Sequence, residues 1–442
     1  MSGKLSNRRP PILRLPEELQ LAIIELATVD PRPFSTTCND YELLDSGTAK
    51  SLTLTCRHFK HISVPYIYHT INLGSYPVAP PSPTLKALLR TLREMPFLGE
   101  FCRVLLVHIP DAGVRPPPQA DGDFDLAHEL LTYLPEVGCF HLWGGFSKPN
   151  DHRTWTLIRH VLHSSLRLEH LFLRKFAEDI SLNDIITDVR STSLKTLSIK
   201  GVSASTPAMT TPSFLLDPER YRAGTFRRLD IVDFFDSAGS LHDLLLWPAS
   251  LEHFSFQTVH NNLHSWDLTL FRPMLGPFKE SLRTLDIGWL ATTEPRELIN
   301  FASFPRLEYL RLSAYQLVHC NARVASSLLL GPRLATFGLN FDVDGQQNED
   351  WRAFGSREAN WIRDFAVTAI HKHTALRKIE INFTPDYDSY KPTSEDLYPW
   401  NLMDWIKGSI GTFGMYLEYS EPVVTEKQWE RDMQRMGVPP NH

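Results

Sequence analysis

The sequence predicts an α/β repeat protein: a small N-terminal helical module followed by a solenoid in which parallel strands alternate with helices. Three observations predict it. First, an apolar phrase, L-x-x-L-x-L with conservative swaps, recurs about ten times at spacings of roughly 25 to 42 residues, a self-similarity that marks repeat architectures. It reads Phe101-Val104-Leu106, Val137-Phe140-Leu142, Leu168-Leu171-Leu173, Leu194-Leu197-Ile199, Phe226-Leu229-Ile231, Leu251-Phe254-Phe256, Leu282-Leu285-Ile287, Leu307-Leu310-Leu312, Leu334-Phe337-Leu339 and Leu376-Ile379-Ile381. Second, segments of helical period separate the phrases. Third, residues 12–73 carry helical patterning without the phrase and are set off from the rest by a run of prolines.

The N-terminal module, residues 12–73, opens at Ile12-Leu13-Arg14-Leu15-Pro16-Glu17-Glu18-Leu19. Pro16 suits a first helical turn, and Glu17 and Glu18 complement the positive end of a helix dipole. Leu19, Ile23 and Leu26 form an apolar stripe at helical spacing, so a helix to about Ala27 is expected. Asp30-Pro31-Arg32-Pro33 ends it, and a polar loop runs on to Gly47. Ser51 to Ser63 places Leu52, Cys56, Phe59 and Ile62 on one face of a second helix. Val64 to Leu73 closes the module with a break at Pro65, two tyrosines and a short alternating strand.

Leu15-Pro16 with Glu18-Leu19, then Cys56-Arg57 with Phe59, then Pro65, Ile67-Tyr68, Ile71 and Leu73, resemble an F-box, the short helical motif that docks on the Skp linker of cullin-RING ubiquitin ligases. The loop between Thr28 and Lys50 is longer than that family's usual spacing. The resemblance implies a docking surface and apolar core made of Leu15, Pro16, Leu19, Ile23, Cys56 and Phe59. Leu15 and Pro16, at the exposed opening, are the contacts to expect, while Ile23 and Phe59 suit the interior of the bundle. It also implies two partners, the Skp linker and, through it, cullin.

Residues 74–83, with Tyr76-Pro77-Val78-Ala79-Pro80-Pro81-Ser82-Pro83, read as a semi-rigid linker of extended backbone; a PxxP recognition segment is the alternative. The solenoid then occupies residues 84–382. Its clearest helical segments are Leu85–Leu92, Trp155–Leu162, Ser240–Leu246 and Trp361–Ile370. A strand bearing L-x-L buries those leucines only when a neighbouring unit stacks beside it, so single units are unstable and several build a shared core. The units resemble leucine-rich repeats, which implies parallel strands on the inner face and helices on the outer. The Asn or Cys that follows the leucine phrase in that family is mostly missing here, so these are divergent units.

Residues 383–442 are expected to cap the array. Trp400 to Ile406 and Thr425 to Met436 read as short helices, Thr425 and Gln428 as a capping box, and Gly437 with Pro439 as a stop. An open end would expose a row of leucines, which favours a cap over a regulatory tail.

Composition limits what the chain can do. It has 442 residues, of which 42% are hydrophobic and 22% charged, enough for a large core and unlike a disordered chain. A formal net charge of −6 supplies no global basic field, and no local basic patch is evident, so neither nucleic acid nor an anionic membrane is an expected partner. No apolar run approaches the roughly 18 residues needed to cross a bilayer, and the N-terminus lacks the apolar core of a secretory signal. Five cysteines, Cys38, Cys56, Cys102, Cys139 and Cys320, are odd in number and mostly embedded in apolar phrases, as reduced thiols are. Cytoplasm or nucleus, or both, is the expected compartment.

No phosphate loop, dinucleotide fingerprint, G-x-S-x-G elbow or H-E-x-x-H motif is present. The expectation is therefore a non-enzyme with no catalytic residues, no cofactor and no metal. The densest histidine groups, Cys56-Arg57-His58-Phe59-Lys60-His61 and His371-Lys372-His373, do not place ligands on one helical face at zinc spacing. If each phrase is a strand, the residue between its last two apolar positions faces away from the core. From Leu168 these are Phe172, Ser198, Asp230, Ser255, Asp286, Arg311, Gly338 and Glu380, with Arg174 and Lys200 among the residues that follow and Tyr309 among those that precede. On this concave face Phe172, Arg174, Lys200, Asp230, Asp286, Tyr309 and Arg311 are the candidate contacts to a protein substrate, with Phe172, Tyr309 and Arg311 foremost because aromatic and Arg side chains are enriched at interface hot spots. The function expected is a substrate-recognition subunit of a Skp-cullin-F-box ligase; the alternative is a ligase-independent interaction scaffold.

Overall fold

The structure, a computed structural model, describes residues 11–28, 46–73, 83–109, 125–144, 152–165, 167–174, 180–189, 193–202, 214–257, 266–288, 290, 298–317, 320–341, 354–385 and 397–435. It divides into two compact units, Met1–Lys175 with Thr187–Leu194, and Phe176–Ile186 with Lys195–His442. Both are built from parallel strands joined by helices and turns, the α/β repeat arrangement that the recurring phrase predicts. The expected linker over 74–83, apart from Pro83, and the loop over 29–45 lie outside the described residues.

The first unit opens with three helices, α1 (Glu17–Thr28), α2 (Ser46–Thr53) and α3 (Arg57–His69). Ile24, Phe59 and Ile62 form their core, with Ile12, Leu13, Leu21, Leu52, Cys56 and Tyr66 packed around it. Two sequence expectations are corrected here. The segment read as one helix from Ser51 is two helices, because Cys56 takes an extended conformation and caps α3, its Sγ accepting from Phe59 N at 3.5 Å. Pro65 does not break that helix. It removes one backbone donor, yet α3 continues to His69, held by Ile62 in the core and by the Tyr66 hydroxyl donating to Leu21 O at 3.4 Å.

After α3 the unit carries strands β1 (Thr70–Asn72), β2 (Val104–Ile109), β3 (Cys139–Gly144) and β4 (His170–Arg174), in parallel pairs of consecutive strands. Helix α4 (Pro83–Glu94), a helix over residues 125–131 (α5) and α6 (His152–Ser164) connect them. The first apolar phrase is misplaced by one residue. Leu105 pairs with Phe140 and Val107 with Leu142, so Leu105 and Val107, not Val104 and Leu106, take the core positions. The cause is that Val104, Leu105, Leu106 and Val107 are all apolar, and period two cannot choose a face when both are greasy.

Helix α7 (Leu182–Asp188) follows β4 in sequence. The second unit holds β5 (Thr196–Val202), β6 (Arg228–Phe234), β7 (His253–Gln257), β8 (Thr284–Gly288), β9 (Tyr309–Ser313), β10 (Thr336–Asn340), β11 (Lys378–Asn382) and β12 (Tyr416–Tyr419). Every consecutive pair is parallel. The register sets phrase against phrase, Leu285 beside Leu310 and Ile287 beside Leu312, so the apolar pairs form continuous buried rows. Helices α8 (Ala238–Leu245), α9 (Phe271–Leu275), α10 (Ala322–Leu329), α11 (Ser356–His371) and α12 (Pro399–Gly411) lie between strands in sequence. Between β8 and β9 the described residues hold only a 3-10 turn, Phe301–Ser303, so strand-turn-helix is not the rule for every unit.

The tail is also more regular than a cap of two helices. Strand β12 pairs with β11 and buries Leu417, adding a further unit after the last recognised phrase. Behind it α13 (Glu426–Arg435) begins at the capping box read from sequence: Gln428 N donates to Thr425 Oγ1 at 3.4 Å and Thr425 N to Gln428 Oε1 at 3.0 Å. Trp429 packs on Tyr398, whose hydroxyl donates to Val424 O at 2.7 Å.

Candidate functional site

Two surfaces carry the residues singled out in the sequence. The first is helix α1. Its inward face is made of Gln20, Ile24 and Thr28, and the polar atoms on it are satisfied locally. The Gln20 amide donates to Leu15 O at 2.7 Å and accepts from His58 Nε2 at 2.6 Å, while the Thr28 hydroxyl donates to Ile24 O at 2.8 Å. The stripe of larger apolar residues points the other way. Leu15, Leu19, Ile23 and Leu26 are 37%, 52%, 41% and 79% exposed, and Pro16 is exposed beside them.

A helix that buries a glutamine and a threonine while leaving three apolar side chains of its own in water is oriented against its hydrophobic gradient. Ile23, expected in the interior, stands on the solvent side of α1. Phe59 lies in the module's core, and half-buried Cys56 serves as the cap of α3. The six residues implied by the F-box resemblance therefore separate into a surface set, Leu15, Pro16, Leu19 and Ile23, and an interior pair. Leu26, at the next turn, belongs with the surface set.

The second surface is the polar side of the strands. In the second unit, Ser198, Asp230, Ser255, Asp286, Arg311, Gly338, Glu380 and Glu418 stand in one register row. Parallel strands some 4.8 Å apart bring such side chains into contact, and they pair with each other. Arg311 holds Asp286 through two hydrogen bonds, Nε to Oδ1 at 2.9 Å and Nη2 to Oδ2. Gln257 Nε2 donates to the same carboxylate at 3.2 Å. The Tyr309 hydroxyl donates to Glu380 Oε2 at 2.9 Å, and Lys378 Nζ lies 2.8 Å from Glu380 and 2.5 Å from Glu418. Further along the row Arg228 Nε bonds Asp230 at 2.9 Å, and Lys200 reaches Asp233 at 3.6 Å.

Burial is deep for charged groups. The side chains of Arg311 and Asp286 are 16% and 10% exposed. Burial pulls the Arg311 pKa down, but the Asp286 carboxylate against it more than compensates, and the guanidinium stays charged above its ordinary range. The Tyr309 phenol is raised well above its usual value by burial, with Asp286 and Glu380 adding to that and Arg311 opposing it. Gly338 makes room for this network: a Cβ there would lie 2.9 to 3.1 Å from the Arg311 stem.

The equivalent side of the first unit is different in kind. Leu106, His141 and Phe172 share a row, with Val104 and Cys139 packed alongside. His141 stacks on Phe172 at 4.0 Å with the rings 10° from parallel. Burial, and then Arg174, lowers its pKa to about 3, so the ring is neutral. Phe172 is only 2% exposed beneath it and offers a partner almost no surface.

Of the predicted substrate contacts, then, Asp286, Tyr309 and Arg311 join one network, Lys200 and Asp230 enter separate ion pairs, and Phe172 and Arg174 belong to the first unit. Sequence reasoning placed Glu380 in the outward row without choosing it as a contact, passed over Gln257 and Lys378 as flanking positions and missed Glu418 altogether. The signal for Glu418 is the alternation of Met415, Leu417 and Tyr419, all of one side, around it. The arrangement presents charge and hydrogen-bonding edges. Among the described residues no group of three or more His, Cys, Asp or Glu is placed to hold a metal ion, and no helix is long and apolar enough to cross a membrane. No protein-family model and no curated protein matches this chain.

Proposed function

We propose that the chain is a non-catalytic substrate receptor of a Skp-cullin-F-box ubiquitin ligase. Helix α1 docks on the Skp linker through Leu15, Pro16, Leu19 and Ile23, and the strand array holds a protein substrate. The observation that supports this reading is the outward stripe on α1. Exposing apolar side chains forgoes about 1.5 to 3 kcal/mol for each one that could have been buried, so a helix that keeps them out is shaped for a partner. The Leu-Pro opening, the Cys-Arg-x-Phe segment and the Pro-x-x-Tyr closing supply the identity of that partner by resemblance. The mechanism is proximity: held in one assembly, substrate and charged conjugating enzyme meet at a raised effective concentration with no chemistry from this chain.

The test is a titration of purified Skp linker against the intact chain and a Leu19→Ala, Ile23→Ala variant. Because both side chains face solvent, the variant keeps its circular dichroism spectrum and melting temperature. Its affinity falls by about 2 to 4 kcal/mol, roughly 30- to 1,000-fold, if each residue acts as a hot spot. An intact chain that shows no binding to the linker at micromolar concentrations overturns the proposal.

A further inference from the structure

We draw no further inference here: the strongest candidate, the apolar pocket that Leu317, Leu339, Phe341, Trp361 and Ile362 line between the end of β10 and the first turns of α11, carries nothing because nothing in the structure shows what covers it.

Discussion

Gly338 and Arg311 show how single residues set the character of the polar face. The guanidinium reaches Asp286 on the neighbouring strand only because its stem lies over a position with no side chain. A Gly338→Ala substitution drives a methyl into that stem, and overpacking of this kind costs about 1 to 3 kcal/mol, read as a lower midpoint in urea denaturation. Arg311→Ala is the more severe change, because it leaves Asp286 buried with only Gln257 as a partner. The expected loss is on the order of 3 kcal/mol, and an unchanged midpoint would show the carboxylate to be solvated. In the first unit, His141 couples stability to pH. Its pKa in the fold, about 3, lies below the 6.5 of the unfolded chain, so between those values the unfolded state binds more protons. Stability is therefore retained above pH 6.5 and lost as pH falls towards 3. From pH 7 to 5 the native protein should lose about 2 kcal/mol more than a His141→Phe variant, which keeps the stack but cannot titrate. Equal losses in the two proteins would place a charged imidazole in the fold.

At the scale of elements, α1 is the informative case, since adjacent residues on it have opposite fates. Ile24 is 2% exposed against Phe59 and Ile62, whereas Ile23 stands in water. Ile24→Ala should destabilise the helical module by about 2 to 4 kcal/mol, as core truncations do. Ile23→Ala should stay within about 0.5 kcal/mol, the range of surface changes. Denaturation followed by circular dichroism separates them, and equal costs would mean that both sides of α1 are buried. The pattern Leu19, Ile23, Leu26 announces a helix in the sequence, and a helix is there. It does not announce which side goes in, because Leu21 and Ile24 make a second apolar face. The choice falls to Phe59 and Ile62, distant in sequence, together with His58, which satisfies the Gln20 amide and removes the usual objection to burying it. The same limit explains the split at Cys56: a cap is a backbone conformation, and helical spacing on both sides of it looks continuous.

At the scale of the whole molecule, each strand within a unit is secured by the next, and the second unit's last described strand is β12. Ending the chain at residue 396 removes α12, β12 and α13. Ile379 and Ile381 of β11 then lose Leu417 and Tyr419 on one side, and Phe383 loses its contact with Trp400. Repeat arrays need a terminal unit that hides such a row, so the shortened chain should be insoluble or aggregate on size-exclusion chromatography, while one ending at residue 435 remains monodisperse. A soluble, monodisperse 396-residue chain would show that the second unit closes without its tail. The recurring phrase by itself determined the strands from β3 to β11, their parallel pairing within each unit and which residues of each enter the core, because alternate residues must lie on opposite sides of a strand. Where both sides were apolar, at β2, that logic failed by one residue, and pairing with Phe140 and Leu142 settled the register. Tertiary structure alone decided which side of α1 is buried. It alone also turned Asp286, Tyr309 and Arg311 from separate surface positions into a network with Gln257 and Glu380, because the partners come from other units and a sequence pattern carries no information about which distant side chains will touch.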